Sequence, residues 1–219
     1  ILVHDRDADA GVVPLEEALI VNDPACRRRL MLSMLTEEPD AYLAQLQAAK
    51  LNDDVEVAHY AATAVAQISK ESDLKLQQLE RAFKTDPSSQ NLIEYCDFLG
   101  EYLGSGLAEG RVAQIQRQQY ARLLARRCER EDTLELRIRY ATALADVGQI
   151  DEAQAVTDQL VLDVPEEQEV WMLCLRLAVM RRDGDEVHRV IDAIDKQHVY
   201  LSADNREKLA FWRDGEEAR

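Results

Sequence analysis

LELRIRYATALADVGQIDEAQAVTDQLVLDVP, residues 134–165, decides the fold. Apolar side chains recur at helical spacing on both sides of Gly148, which predicts helices over 133–147 and 150–163 joined by a tight turn and stopped by Pro165. The same period runs outward in both directions, broken only by short turn signals. Asp23-Pro24 opens ACRRRLMLSML, Pro39-Asp40 opens AYLAQLQAAKL, and Asn52-Asp53-Asp54 opens VEVAHYAATAVAQI. Ser72 or Asp73 opens LKLQQLERAFK, which stops near Asp86-Pro87, and Ser88-Ser89 opens QNLIEYCDFLGEYL. A long Arg/Gln-rich helix is expected near 111–130, followed by helices at 167–182, 185–197 and 203–213. Eleven or twelve helices result. Composition agrees: 219 residues, 47% hydrophobic and dominated by Ala and Leu, 5% aromatic, eight glycines and five prolines. Collagenous, disordered and β-rich classes are excluded, and no alternating β-branched hairpin pattern occurs.

The segment from Leu134 resembles a tetratricopeptide repeat. Counting Leu134 as the first position, Ala141 falls at 8, Gly148 at 15, Ala153 at 20 and Pro165 at 32, the family's slots for small residues, turn glycine and stop proline. Positions 8 and 20 are where two antiparallel helices cross, so only small side chains fit. Thr157, at the usual aromatic slot, departs from the pattern. A second copy starts at 168, with Trp171, Val187 and Ile191 in register 34 residues on and its turn glycine displaced to Gly184. LQQLERAFKTDP, with Ala82 five residues before Pro87, is a third trace.

Residues 22–70 resemble short HEAT repeats. Asn22-Asp23 and Asn52-Asp53 head helices 30 residues apart, and Val57, Ala61, Ala62, Ala64, Val65 and Ile68 form a small-residue stripe. His59 and Tyr60 are expected to pack beside it. Ala58 stands where that family has arginine, so its inter-repeat ion-pair ladder is not expected. DPACRRRLML and EVAHYAATA, running into tetratricopeptide-like repeats and ending in REKLAFW, resemble the cytosolic region of the PelE family of the bacterial Pel exopolysaccharide apparatus. That resemblance implies a domain at the cytoplasmic face of the inner membrane. Its partners would be other Pel-type complex components, and transmembrane helices would precede Ile1.

Charge adds a second constraint. Twenty-six basic residues oppose 42 acidic ones, a formal net of −16, so a nucleic-acid partner is not expected. The acidity is uneven: residues 1–87 carry 9 basic and 16 acidic residues, 88–131 carry 6 and 6, and 132–219 carry 11 and 20. The six arginines of the middle segment are Arg111, Arg117, Arg122, Arg126, Arg127 and Arg130. Arg122, Arg126 and Arg130 are four apart and are expected to share one helix face, paired with acidic neighbours or offered to an acidic protein segment.

Signs of chemistry are weak. Asp5, Asp7, Asp9 and Glu16 have calcium-loop spacing, but Ala10 stands where the loop needs glycine, so 1–21 reads as an acidic linker with a short lead helix. Cys26, Cys96, Cys128 and Cys174 have no CxxC spacing and read as reduced thiols. His4, His59, His188 and His198 lack metal-ligand spacing, and no GxSxG, P-loop or GxGxxG occurs. Glu16-Glu17, Glu37-Glu38 and Glu166-Glu167 sit near helix starts, where they complement the positive dipole end.

The expectation is a right-handed all-α solenoid of antiparallel hairpins. HEAT-like repeats at 22–70 lead into irregular hairpins at 71–131, tetratricopeptide-like repeats at 132–200, and a capping helix and tail at 201–219. The expected function is non-catalytic protein–protein scaffolding, with no cofactor and no metal. The groove slots of the tetratricopeptide family map to Glu135, Ile138, Thr142, Ala145 and Asp146, then Glu169, Met172, Arg176, Val179 and Met180. Of these, Ile138, Thr142, Met172, Arg176, Val179 and Met180 are the candidate partner-binding set, with Arg122, Arg126 and Arg130 as a second. A small-ligand sensor, a free cytosolic adaptor and a helical-repeat lyase are the competing classes.

Overall fold

The structure, a computed structural model, describes residues 42–214, which are all-helical: nine helices and no strand among the described residues. The helices are α1 Leu43–Ala49, α2 Val55–Thr85, α3 Ser89–Gly104, α4 Gly110–Cys128, α5 Leu134–Asp146, α6 Ile150–Asp163, α7 Gln168–Arg181, α8 Gly184–Gln197 and α9 Ala203–Asp214. The chain divides into two units after Gln78. The acidic linker, the calcium-like spacing, Cys26, the lead helix and the first HEAT-like helix lie outside the described residues, as does the tail beyond Asp214.

In the first unit, Leu46, Ala49, Val57, Ala61, Ala64 and Ile68 are buried. His59, Tyr60 and Ala62 are exposed, which corrects the expectation that Ala62 belongs to the stripe and that His59 and Tyr60 pack beside it. The expected break at Ser72-Asp73 is also corrected, because α2 is one helix of 31 residues. No Gly or Pro falls between 55 and 85, and the inward positions Val57, Ala61, Ala64, Ile68, Leu76 and Phe83 keep one helical stripe through the supposed break. Ser and Asp favour a cap only where the backbone has reason to stop.

In the second unit, each helix from α3 to α7 packs on the next, and α5 also touches α7. Starts follow local chemistry. Ser88 Oγ accepts from Asn91 N (3.4 Å), Thr133 Oγ1 from Leu136 N (3.3 Å) and Asp183 Oδ1 from Glu186 N (3.0 Å). Helix ends recur with the 34-residue period. At the end of α5, Gly148 (φ 80°) donates to Ala145 O (3.0 Å) and Gln149 N to Leu144 O (2.9 Å). At the end of α7, Arg182 (φ 57°) donates to Val179 O (2.9 Å) and Asp183 N to Ala178 O (3.1 Å). The turn of the second copy is thus made by Arg182, and Gly184 is the first residue of α8 rather than a displaced turn glycine.

The core follows the small-residue logic. Ala141, Ala145 and Ala153 are fully buried with Leu144, Leu173 and Leu177. Thr157, at the slot expected to be aromatic, is fully buried and folds its hydroxyl back onto Ala153 O (2.7 Å), which satisfies it. A second cluster gathers Trp171, Leu175, Val187, Ile191 and Ile194 with Leu209 of α9. Trp171 donates its indole N–H to Pro165 O (2.7 Å), so the stop proline also orients the tryptophan. Ala82 of the third trace is exposed; Phe83 is the inward residue there.

Candidate functional site

A groove of about 560 Å³ crosses α5, α7 and α9. Ile138 and Thr142 line it from α5; Met172, Arg176 and Val179 from α7; Asn205, Lys208 and Trp212 from α9. Five of the six groove candidates therefore share one surface. Met180 is not among the lining residues; its side chain is 41% exposed on α7. The α7 residues meet because 172, 176 and 179 lie at i, i+4 and i+7 on one helix face. Ala145 is excluded from the surface by complete burial, and Asp146 is held by Arg176 (Nη2 to Oδ1, 2.5 Å). That ion pair ties α7 to α5 beside the groove. Trp212 lies in α9, within the segment expected to form the capping helix. It is half-buried, packs on the α7–α8 core and also forms the far wall. Gln168 Oε1 fixes the start of α9 by accepting from Ser202 N (2.8 Å) and Asn205 Nδ2 (3.1 Å). The result is an open surface with apolar Ile138, Met172, Val179 and Trp212, and with Glu169, Arg176 and Lys208 for charge.

The arginine candidates separate. Arg130 lies beyond the end of α4, and its guanidinium reaches back to Ser89 Oγ (3.2 Å) and Pro87 O (3.1 Å). It therefore does not continue the Arg122–Arg126 row. Arg126 stays exposed with its guanidinium 5.8 Å from the Phe83 ring centre, a cation–π contact. Arg122 borders a second groove, of about 460 Å³, with Tyr140 and Glu152 on its other side.

Sequence reasoning missed a polar network between α3, α4 and α5. Arg127, almost fully buried, donates to Asp97 Oδ1 (2.6 Å), and Arg139 donates to the same oxygen (3.1 Å) and to the Tyr120 hydroxyl (2.8 Å). Burial works against the Arg127 charge, but the Asp97 carboxylate and the Cys96 sulfur outweigh it and move its pKa up. Burial likewise raises Tyr120, against the opposing pull of Arg139. The ring of Tyr120 sits against Gly100, where a Cβ would lie 2.8 Å from the phenol oxygen. Only tertiary contact could reveal this network, because its members are 30 and 42 residues apart.

No protein-family model, curated protein or solved structure matches this chain. Its chemistry is therefore judged on its own residues. Cys96 and Cys174 are buried and Cys128 is half-buried. Burial pushes all three thiols up, Cys174 to about 12, which disfavours the thiolate a nucleophile requires. Among the described residues, no group of three or more His, Cys, Asp or Glu could hold a metal ion. No described helix is long and apolar enough to cross a membrane.

Proposed function

We propose that the chain is a non-catalytic protein-binding scaffold, built as a right-handed solenoid of helical hairpins with tetratricopeptide-like repeats over 132–200. The single observation that carries this is the groove: α5, α7 and α9, from successive repeat positions, bring Ile138, Met172, Val179 and Trp212 onto one open surface. The 34-residue recurrence of helix-end hydrogen bonds supports the repeat architecture. Chemically, such a surface holds a helix or extended segment by a few apolar anchors, with Arg176, Lys208 and Glu169 selecting its register. The resemblance of DPACRRRLML, EVAHYAATA and REKLAFW to the PelE family suggests the setting. In that setting the partners are components of the Pel polysaccharide apparatus at the cytoplasmic side of the inner membrane.

The test places a photo-crosslinking amino acid at Met172 in Pel-producing cells. A discrete crosslinked partner that disappears in a Met172→Glu or Arg176→Glu background, with helical content unchanged, supports the reading. An adduct pattern indifferent to both substitutions overturns the groove. A partner unrelated to Pel synthesis removes the proposed setting while leaving the scaffold intact.

A further inference from the structure

One strongly charged surface is left over when the groove is set aside. Helix α4 carries Arg111, Arg117, Arg122, Arg126 and Arg127 and no Asp or Glu, in a chain whose net charge is −16. Arg127 turns inward to Asp97. Positions 111, 115, 118, 122 and 126 follow i, i+4, i+7, i+11 and i+15, so Arg111, Ile115, Gln118, Arg122 and Arg126 form one stripe along the helix. All five are exposed, and Ile115 and the adjacent Val112 each leave 55% of their surface to solvent. Elsewhere in the same unit arginines reach carboxylates: Arg137 to Asp163, Arg176 to Asp146, Arg181 to Asp151. Among the described residues no ion pair holds Arg111, Arg122 or Arg126; Arg126 meets only the Phe83 ring.

We infer that this stripe is a second docking surface, which takes an acidic amphipathic helix from a partner protein. Acidic side chains at i, i+11 and i+15 of a parallel helix, or i, i+4 and i+15 of an antiparallel one, match the spacing of Arg111, Arg122 and Arg126, and an apolar edge covers Ile115 and Val112. Charge complementarity selects this occupant. Exposed ion pairs contribute little one at a time, so the two apolar residues supply affinity while the arginines set partner and orientation. The occupant is also limited in size. A nucleic-acid duplex or an anionic bilayer extends past α4 onto the following helices of its own unit, where residues 132–219 carry net −9, whereas a single helix covers the stripe alone. The inference deepens the scaffold reading by naming a partner chemistry, and it shares no residue with the groove.

The test uses the full chain and a fluorescent synthetic helix with a glutamate face beside a leucine face, read by anisotropy. The expected result is saturable binding that weakens as salt rises and falls by about tenfold or more in Arg111→Glu/Arg122→Glu. Arg111→Lys/Arg122→Lys is expected to retain binding, a lysine-faced helix to fail, and Met172→Glu to have no effect. Unchanged circular dichroism in the charge-reversed variant separates loss of docking from loss of fold. Equal binding by wild-type and charge-reversed chains, or no binding at all, overturns the inference. So does self-association that the glutamate variant abolishes, because the occupant is then a second copy. Capture by phosphatidylserine vesicles but not by the peptide overturns it in favour of a membrane surface. A groove variant that fails in the crosslinking experiment leaves this result standing, so the two readings fail separately.

Discussion

Arg127 and Asp97 form a 2.6 Å ion pair in which the arginine is 10% exposed and the aspartate 40% exposed, and Arg139 shares the same carboxylate oxygen at 3.1 Å. One carboxylate thus serves two guanidinium groups at the meeting of α3, α4 and α5. Glu131 lies 3.6 Å from Arg127 but on its own turn of chain, so it cannot replace the bridge to α3.

Asp97→Ala is therefore expected to be the costly change. It leaves a buried and a half-buried arginine without their shared anion, at about 3 kcal/mol, the bottom of the range for a broken buried pair because Asp97 is partly solvated. Arg127→Met is expected to cost about 1 kcal/mol or less, since it removes the buried charge and leaves Asp97 with Arg139. Urea midpoints at an unchanged slope measure both. A larger loss for Arg127→Met than for Asp97→Ala would reverse the assignment of Asp97 as the hub.

The turn after α7 holds Arg182 at φ 57°, where the turn after α5 has Gly148 at φ 80°. Arg182→Gly is expected to stabilise the chain by about 0.5–1 kcal/mol, because the left-handed conformation penalises a Cβ that glycine lacks. Gly148→Ala is expected to destabilise it by about 1 kcal/mol for the same reason. Thermal midpoints moving in opposite directions in the two variants are the signature.

Ala153 is fully buried at the packing of α6 on α5, whereas Ala62 on α2 is exposed. Ala153→Leu is expected to cost about 1–3 kcal/mol through overpacking. Ala62→Leu should stay within about 0.5 kcal/mol of wild type. Equal effects in denaturant melts would contradict Ala153 as a close-packing position.

Alkaline pH is expected to unfold the chain partly through Cys174. Burial raises its thiol from 9.0 to about 12, so the unfolded state loses the proton first. Its contribution is fully present below pH 9.0 and is lost progressively toward pH 12. Tyr95, raised by burial and by Glu80 from 10.0 to about 12, acts in the same direction over the upper part of that window. Cys174→Ala should flatten the fall of stability above pH 9.0, measured as urea midpoint against pH. Among the described cysteines, half-buried Cys128 should be the first to react with a thiol reagent.

Local chemistry explains how much of this was readable along the chain. Ser88, Thr133 and Asp183 announce helix starts because their side chains bond to backbone three residues on. Leu134–Asp146, Ile150–Asp163 and Gln168–Arg181 fall within a residue of their expected bounds because apolar periodicity and turn signals agree there. Ser72-Asp73 misled because the same residue types tolerate an exposed helical position, and whether α2 stops is decided by the stripe beneath it. Arg130 misled for the opposite reason. Its spacing fits a helix face, but the helix ends at Cys128 and the side chain turns back to Pro87.

The sequence by itself determined the helical class and the bounds of α5, α6 and α7 to within a residue, because propensity, capping and periodicity act over a few turns of chain. Only the tertiary structure decided which members of the two candidate faces meet. It set Trp212 and Met172 on one groove, turned Arg130 back to Pro87, and drew Asp97, Arg127 and Arg139 together. Those choices depend on which helices pack against each other, and contacts over 30 to 42 residues leave no periodic trace in a one-dimensional string.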